Sequence, residues 1–272
     1  MIVEADPNCM ILSNGSELGI ARYEEDSLRI NSIFSENSQL SNPVWPFYSE
    51  AAKSLFFEAR EHGAAGICRA DAYTFINKPQ ILASGRYPSL SPDGQSIAYL
   101  NEHNIIVIKD LRSEVELLIS ETIKRLSVWK RPQWLNNNEI VYVTNNDEVS
   151  VYNRNEGSHS ILFSERLLPV TSMDGIIMFI DHDAKRLFKY KDGELNIIIK
   201  NRFLSMGPGI ILFDEGRKFL YSRQTTSEMF RLSERKDTFS FSFDSGEEKK
   251  MISGYSLFGG SQLPCDIKWK NQ

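Results

Sequence analysis

This chain of 272 residues is poor in several features that mark common protein classes. Its three cysteines, Cys9, Cys68 and Cys265, are too few and too dispersed for a disulfide framework or a zinc site, which favours a reducing compartment. No apolar run approaches the roughly 20 residues needed to cross a bilayer. Residues 1–7 lack a basic region and include two acids, so they do not resemble a secretory signal. The sequence therefore predicts a cytoplasmic protein without a membrane segment.

The sequence also lacks the short motifs of the common enzyme classes. It contains no Walker loop, no Gly-x-Gly-x-x-Gly fingerprint, no His-Glu-x-x-His zinc motif and no Gly-x-Ser-x-Gly nucleophile elbow. Only four histidines are present, and they fall in separate parts of the chain. We therefore predict no cofactor and favour a non-enzymatic role over catalysis.

Basic charge is scarce as well, since the formal net charge is −5. Residues 1–40 carry seven acids against two bases, an excess that equals the value for the whole chain. A protein that binds nucleic acid directly normally needs a basic surface, so the charge argues against that role and favours a basic partner. We predict an acidic docking sector in this N-terminal part of the chain. Its proposed members are Glu17, Glu24, Glu25 and Asp26.

Five prolines, at positions 43, 88, 132, 169 and 208, mark a repeat that extends along most of the chain. They are spaced by 45, 44, 37 and 39 residues, close to the period of about 40 residues expected for four-stranded propeller blades. In the clearest copy, YPSLSPDGQSIAYL at residues 87–100, two apolar segments flank a Pro-Asp-Gly turn, which is typical of a β-hairpin.

This repeat predicts an all-β fold, a single six-bladed β-propeller of four-stranded blades that fills residues 1–272 as one domain. The predicted blades are residues 41–84, 85–127, 128–165, 166–203 and 204–258, with a sixth formed by residues 1–40 together with 259–272. Neither terminal piece makes a blade alone, so we expect an N-terminal and a C-terminal strand to pair and close the ring. The position of the C-terminal strand within that blade stays open.

The segment at residues 88–99, PSLSPDGQSIAY, closely resembles the PD40 (WD40-like) repeat of TolB-type six-bladed propellers. Only this copy keeps the Ser-Pro-Asp-Gly core, and the copies around residues 48–53 and 135–138 are degenerate. The resemblance covers most of the chain as architecture. It implies the fold and says little about chemistry, because such propellers serve as scaffolds, peptidase gating domains and sugar-processing enzymes.

An arginine precedes four of the five repeat prolines. The four are Arg86, Arg131, Arg166 and Arg202. Because these segments lead from the outer strand of one blade to the inner strand of the next, their side chains can gather at the mouth of the central channel and bind an anion. Trp129 and Lys130 precede the proline at 132 and join this candidate binding site. The simpler interpretation is that each arginine forms a local surface salt bridge.

One cluster of possible metal ligands occurs at Asp181, His182 and Asp183. Adjacent residues of a strand point to opposite faces, so all three can converge on one ion only within a turn. A turn is expected here, and a solvated hairpin loop is favoured over a metal site.

Charge and the lack of catalytic motifs together predict a monomeric, non-enzymatic propeller that binds another protein. A basic partner fits the acidic charge, for instance a nuclease toxin blocked by its immunity protein. The alternative is an enzyme or sensor that binds an anionic small molecule or sugar at the channel mouth. An enzyme requires an acid or base within hydrogen-bond reach of its substrate, whereas a binding protein requires a large complementary surface.

Overall fold

The structure is a computed structural model. It describes residues 9–24, 27–35, 40–71, 79–124, 130–173, 175–181, 186–200, 210–213, 216–224, 236–252 and 260–262. These residues form 23 β-strands and no α-helix, so the predicted all-β class is confirmed.

The strands pair into five antiparallel sheets. The first contains, in spatial order, β23 (Gly260–Gln262), β1 (Cys9–Ser13), β2 (Glu17–Glu24) and β3 (Ser27–Ser35). The second has seven strands in chain order: β4 (Leu40–Ser49), β5 (Ser54–Glu61), β6 (Ala64–Asp71), β7 (Gln80–Leu90), β8 (Ser96–Asn101), β9 (Ile106–Asp110) and β10 (Glu116–Leu118). The third contains β11 (Gln133–Trp134), β12 (Glu139–Val143), β13 (Val149–Asn153) and β14 (Ser158–Phe163). The fourth contains β15 (Leu167–Met173), β16 (Ile176–Asp181), β17 (Leu187–Lys191) and β18 (Glu194–Ile199). The fifth contains β19 (Ile211–Phe213), β20 (Lys218–Gln224), β21 (Lys236–Ser242) and β22 (Glu248–Ile252).

Strand β7 belongs to two neighbouring units of the seven-stranded sheet. Its first half pairs with β6, where Ser84 lies opposite Gly66, and its second half pairs with β8, where Gly85 lies opposite Asn101. A Cβ atom at Gly85 would lie 2.6 Å from the Leu100 carbonyl oxygen, so the change of partner occurs where a side chain does not fit. With β7 counted in both units, the described strands form six sets of four. We number these blades one to six, starting from the sheet that contains β23.

The first strands of the six blades contact one another in a closed order. Contacts link β4 to β7, β7 to β11, β11 to β15, β15 to β19, β19 to β23, and β23 back to β4. In blade one this first position is taken by the C-terminal strand β23, which pairs with β1 and places Ser261 opposite Ile11. The position that the sequence left open is therefore the first of the four. Residues 263–272, the rest of the C-terminal segment predicted for this blade, lie outside the described residues.

The antiparallel order gives the ring two different faces. Turns between the first and second strands of a blade, and between its third and fourth strands, lie on one side, which we call the turn face. Turns between the second and third strands, and the connections from blade to blade, lie on the other side, which we call the connection face. The Pro92-Asp93-Gly94 turn is on the turn face, and the segments that contain Lys130, Arg131 and Arg166 are on the connection face.

The core lies between the blades and is built from the apolar strands that the repeat predicts. Trp45 and Trp134 each stand two residues after a repeat proline, and both are buried, with 3% and 1% exposed. The indole nitrogen of Trp134 donates a hydrogen bond to the Ser89 carbonyl oxygen of blade three at 2.9 Å. First strands are bulged near the repeat proline, and Trp45 and Tyr87 adopt positive φ values of 56° and 58°.

Cys9, at the start of β1, is disulfide-bonded, which corrects the expectation of reduced cysteines drawn from the sequence. Cys68 is free and buried, and burial raises the pKa of its thiol to about 12, which keeps it unreactive. The sequence holds one further cysteine, Cys265, which lies outside the described residues. The sequence pattern around the cysteines did not indicate this bond. It depends on the pairing of β23 with β1, which brings distant parts of the chain together.

The disulfide can be tested by mass. Under non-reducing conditions the intact protein is expected to be lighter than the reduced protein by the mass of two thiol hydrogens. Peptide mapping is expected to find Cys9 in a cross-linked peptide and Cys68 as a free thiol. Three alkylatable thiols in the denatured, unreduced protein would contradict this assignment.

Candidate binding site

The centre of the candidate site is Arg131, which lies between the predicted connection and strand β11. Its side chain is buried, and its guanidinium carbon lies 4.1 Å from the centre of the Trp45 ring and 5.7 Å from that of Phe47. The Nη2 atom donates a hydrogen bond to the Val170 carbonyl oxygen of β15 at 2.9 Å. Arg131 therefore joins the first strands of blades two and five, and both interactions are favourable for a desolvated cation.

A second buried charge, the carboxylate of Glu58 on β5, lies in the same region. Burial raises the pKa of this carboxyl group, and the opposing effects are the backbone hydrogen bond from Tyr87 and the nearby cations Arg86, Arg60 and Arg131. The Tyr87 amide donates to Glu58 Oε2 at 2.7 Å. Burial lowers the pKa of Arg131 to about 9, which still leaves the guanidinium protonated at neutral pH.

Two donors at this level of the ring have no hydrogen-bond acceptor among the described residues. They are Nη1 of Arg131 and Nε2 of Gln133, both buried. Gln133 accepts a hydrogen bond from the Ser172 hydroxyl through its Oε1 atom at 3.3 Å, so its amide is oriented by β15. Arg131 Nη1 and Gln133 Nε2 are both donors, so the missing partner of each would be an acceptor oxygen rather than a cation.

The other predicted cations occupy different surroundings. Arg86 is half-buried in β7 near Glu58. Lys130 is buried and places its Nζ atom 3.3 Å from Asp147, and Arg166, which is 64% exposed, lies 3.6 Å from the same carboxylate. The structure thus groups Arg86 with Arg131 near Glu58, and Lys130 with Arg166 at Asp147. Arg202 and Trp129 lie outside the described residues, and anion binding by the four arginines together stays a prediction.

Two loops of the connection face, residues 119–124 and the β12–β13 turn at residues 144–148, are held together by the side chain of Asn145. The Asn145 Nδ2 atom donates to Glu121 Oε1 and to the Thr122 carbonyl oxygen, both at 3.0 Å. Its Oδ1 atom accepts a hydrogen bond from the Lys124 amide at 2.9 Å. The Lys130 ammonium adds a bond to the Thr144 carbonyl oxygen at 3.1 Å. These bonds fix the surface on which Glu121 is displayed.

The acidic docking sector is described only in part. Glu17, at the start of β2, accepts a hydrogen bond from Asn14 Nδ2 at 2.9 Å and so closes the Asn14-Gly15 turn between β1 and β2. Glu24 ends β2. Glu25 and Asp26 lie outside the described residues, so docking by this sector stays a prediction.

Asp181 of the weak metal candidate is engaged within its own hairpin. Its Oδ1 atom accepts the Arg186 amide at 3.0 Å, and its Oδ2 atom accepts Arg186 Nε at 2.8 Å. His182 and Asp183 lie outside the described residues. Across the part of the chain that the structure describes, no group of three or more His, Cys, Asp or Glu side chains is placed to hold a metal ion.

Sequence reasoning did not single out Glu58, Asp147 or Asn145. Each lies in an ordinary polar or alternating segment, and its partners are far away in the sequence. The Asn-Asn-Asp sequence at residues 145–147 is typical of a turn, but it does not indicate which residues the turn contacts.

Comparison with solved structures identifies the architecture. The chain matches TolB from Acinetobacter baumannii with a TM-score of 0.70 and 16% identity, over 94% of this chain and 66% of that one. It matches a chain of a nidogen/laminin complex with a TM-score of 0.67 and 11% identity, over 94% of this chain and 99% of that one. An oligogalacturonate lyase from Vibrio parahaemolyticus gives a TM-score of 0.51 and 9% identity, over 90% of this chain and 71% of that one.

These likenesses establish a TolB-like β-propeller fold, as the sequence predicted. No protein-family model matches the sequence, and no curated protein matches it significantly. Within the described residues, no helix has the length and apolar character needed to cross a membrane.

Proposed function

We propose that this TolB-like propeller is a non-enzymatic protein that binds another protein on its connection face. Propellers present the longer loops between blades on one side of a rigid ring, and such loops carry binding in many scaffolds. The fold shared with TolB and with a chain of a nidogen/laminin complex supports the proposal.

The observation that carries this proposal is a set of exposed carboxylates on the connection face. Glu102, Glu121 and Glu165 are exposed and lie in three separate loops of the connection face, which follow β8, β10 and β14. Asp147 lies among them and attracts both Lys130 and Arg166. In the described residues no lysine or arginine lies within ion-pair distance of the three exposed carboxylates. Glu102 lies 3.5 Å from His103 Nε2, and Glu121 accepts a hydrogen bond from Asn145, so no described lysine or arginine neutralises these carboxylates.

Prior ordering of this surface favours binding. Asn145 ties the connection that carries Glu121 to the turn that follows β12. A surface already fixed in the free protein loses less conformational entropy when a partner docks. Opposite charge on the partner would accelerate association and select against acidic proteins.

We therefore propose a basic protein as the partner, and an inhibitor of the toxin-immunity type as the more specific role. In that role the acidic face would cover a basic surface of a nuclease. We propose that the chain acts as a monomer. The cytoplasmic location predicted from the sequence stays a prediction, and a disulfide at Cys9 would persist only in an oxidising compartment.

Charge reversal tests the docking face. The triple variant Glu102→Lys, Glu121→Lys and Glu165→Lys is expected to lose at least about tenfold in affinity for the basic protein recovered with the wild type. Binding is measured by biolayer interferometry at two salt concentrations, and the wild-type affinity is expected to fall as salt rises.

The matched control places the same charge change on the turn face. Glu156→Lys, Glu194→Lys and Glu247→Lys alter three exposed carboxylates there and are expected to leave the affinity nearly unchanged. Equal losses in both triple variants would show that net charge rather than the connection face determines binding. An unchanged affinity in the first variant would overturn the proposal.

A further inference from the structure

A cavity of about 520 Å³ opens on the turn face between blades two and three. Its volume lies within the range of small-molecule sites. The described residues that line it come from three turns and the end of β6: Ala51, Ala52, Arg69, Gly94, Gln95, Leu111 and Arg112. Two arginines are the only charged side chains among them.

The walls of this cavity are tied together by hydrogen bonds. The Ser49 hydroxyl donates to the Gly94 carbonyl oxygen at 2.8 Å and accepts the Ala52 amide at 3.0 Å, so it joins the turns of the two blades. The Leu111 amide donates to the Gln95 carbonyl oxygen at 2.8 Å and joins the third turn to the second. Gly94 has φ of +68°, and a Cβ atom there would lie 2.5 Å from the Ser49 hydroxyl oxygen. The cavity is therefore a preformed feature of the fold.

Arg69 is held by one edge of its guanidinium group. Its Nε atom donates to the Ser54 hydroxyl at 3.0 Å, and its guanidinium carbon lies 5.9 Å from the Phe56 ring centre. The two Nη atoms remain available, since no carboxylate of the described residues lies within ion-pair distance of them. The side chain is only partly exposed, which strengthens its electrostatic effect on a ligand.

Arg112 approaches the cavity from the turn after β9. The nearest acid in sequence, Asp110, is occupied by the turn itself: its Oδ1 atom accepts the amides of Arg112 and Ser113 and the Ser113 hydroxyl. The hydrogen bonds from Ser113 lower the pKa of this carboxyl group, which keeps it ionised as the acceptor for these bonds. The described part of the chain therefore offers the Arg112 guanidinium no carboxylate partner.

We propose that this cavity binds a small ligand that carries a phosphate or carboxylate group and a short apolar body. Guanidinium groups present parallel N–H donors that match the oxygens of both anions. Arg69 and Arg112 would hold the anion, and Ala51, Ala52 and Leu111 would contact the apolar part. This site lies on the face opposite the proposed protein-docking surface and is separate from the buried Arg131.

Calorimetric titration with phenyl phosphate and with benzoate at low ionic strength tests the site. The wild type is expected to bind at least one probe with a stoichiometry of one, and the two probes show which oxyanion is preferred. Arg112→Ala, at an exposed turn position, is expected to weaken binding about tenfold or more, because a charge-assisted hydrogen bond is lost. Arg69→Lys keeps the charge but loses the planar donor pair, and it is expected to weaken binding as well.

Arg22→Ala is the matched control, because Arg22 is an exposed arginine on β2 in blade one. It removes the same charge and is expected to leave the affinity unchanged. No saturable binding of either probe would overturn the proposal. The same holds if Arg112→Ala and Arg69→Lys bind like the wild type, or if Arg22→Ala weakens binding equally. None of these three outcomes depends on protein docking, so this site and the proposed function can fail independently.

Discussion

Removal of residues 260–272 is expected to destabilise the protein severely or to make it aggregate. The deletion takes away β23, which pairs with β1 and occupies the first strand position of blade one. Every residue of β1 is buried, and Met10, Ile11 and Leu12 are fully so. Each side chain of this kind contributes about 1.5–3 kcal/mol when fully buried. Partial exposure of three therefore costs on the order of 5 kcal/mol, a large part of the stability of an ordinary domain.

The control deletion removes residues 263–272 and keeps β23. Both truncated proteins and the wild type are compared by thermal unfolding in reducing buffer, so that the Cys9 disulfide is absent from all three. The shorter deletion is expected to melt well above the longer one, which exposes an unpaired strand edge. If the two deletions melt at the same temperature, β23 does not stabilise the ring.

Arg131→Ala is expected to lower the free energy of unfolding by roughly 3 kcal/mol or more. The substitution removes a desolvated cation that stacks on Trp45, an interaction of about 2 kcal/mol. It also leaves the Val170 carbonyl oxygen without its donor, which costs about 1–3 kcal/mol in a buried position. Relief of the guanidinium desolvation penalty opposes this sum, but the substitution also leaves a cavity and removes a cation that acts on the buried Glu58 carboxylate, so a net loss is expected.

Arg166→Ala provides the matched comparison, because both arginines precede a repeat proline. Arg166 is 64% exposed and its contact with Asp147 is 3.6 Å long, so its removal is expected to cost no more than about 1 kcal/mol. Urea denaturation of the two variants measures the difference. Equal destabilisation would mean that burial and ring stacking do not distinguish Arg131 from an arginine on the surface.

Strands were predictable from the sequence where the repeat was clear. The Pro-Asp-Gly turn and the alternating apolar residues located β8 and the turn before it, and the equivalent positions of Trp45 and Trp134 indicated buried aromatics. These signals are local, because a hairpin is determined by its turn residues and by the period of its apolar side chains.

The surroundings of Arg131 were not predictable in the same way. Its sequence, Lys-Arg-Pro, is that of a polar connection, yet its side chain is buried against Trp45 of blade two and Val170 of blade five. Such a contact depends on how the blades are arranged around the ring, and the local periodicity of apolar residues does not indicate that arrangement. The same reason explains Cys9, whose disulfide depends on the meeting of the two chain ends.

Strand β7 has a consequence for how the ring folds and opens. Blades two and three share it without an intervening loop, so a break in its backbone would damage both sheets at once. We expect its central amides to exchange hydrogen only when the two blades open together. In propellers whose blades are joined by loops, each blade can fluctuate separately. Blades two and three are therefore expected to open as one cooperative unit within the ring.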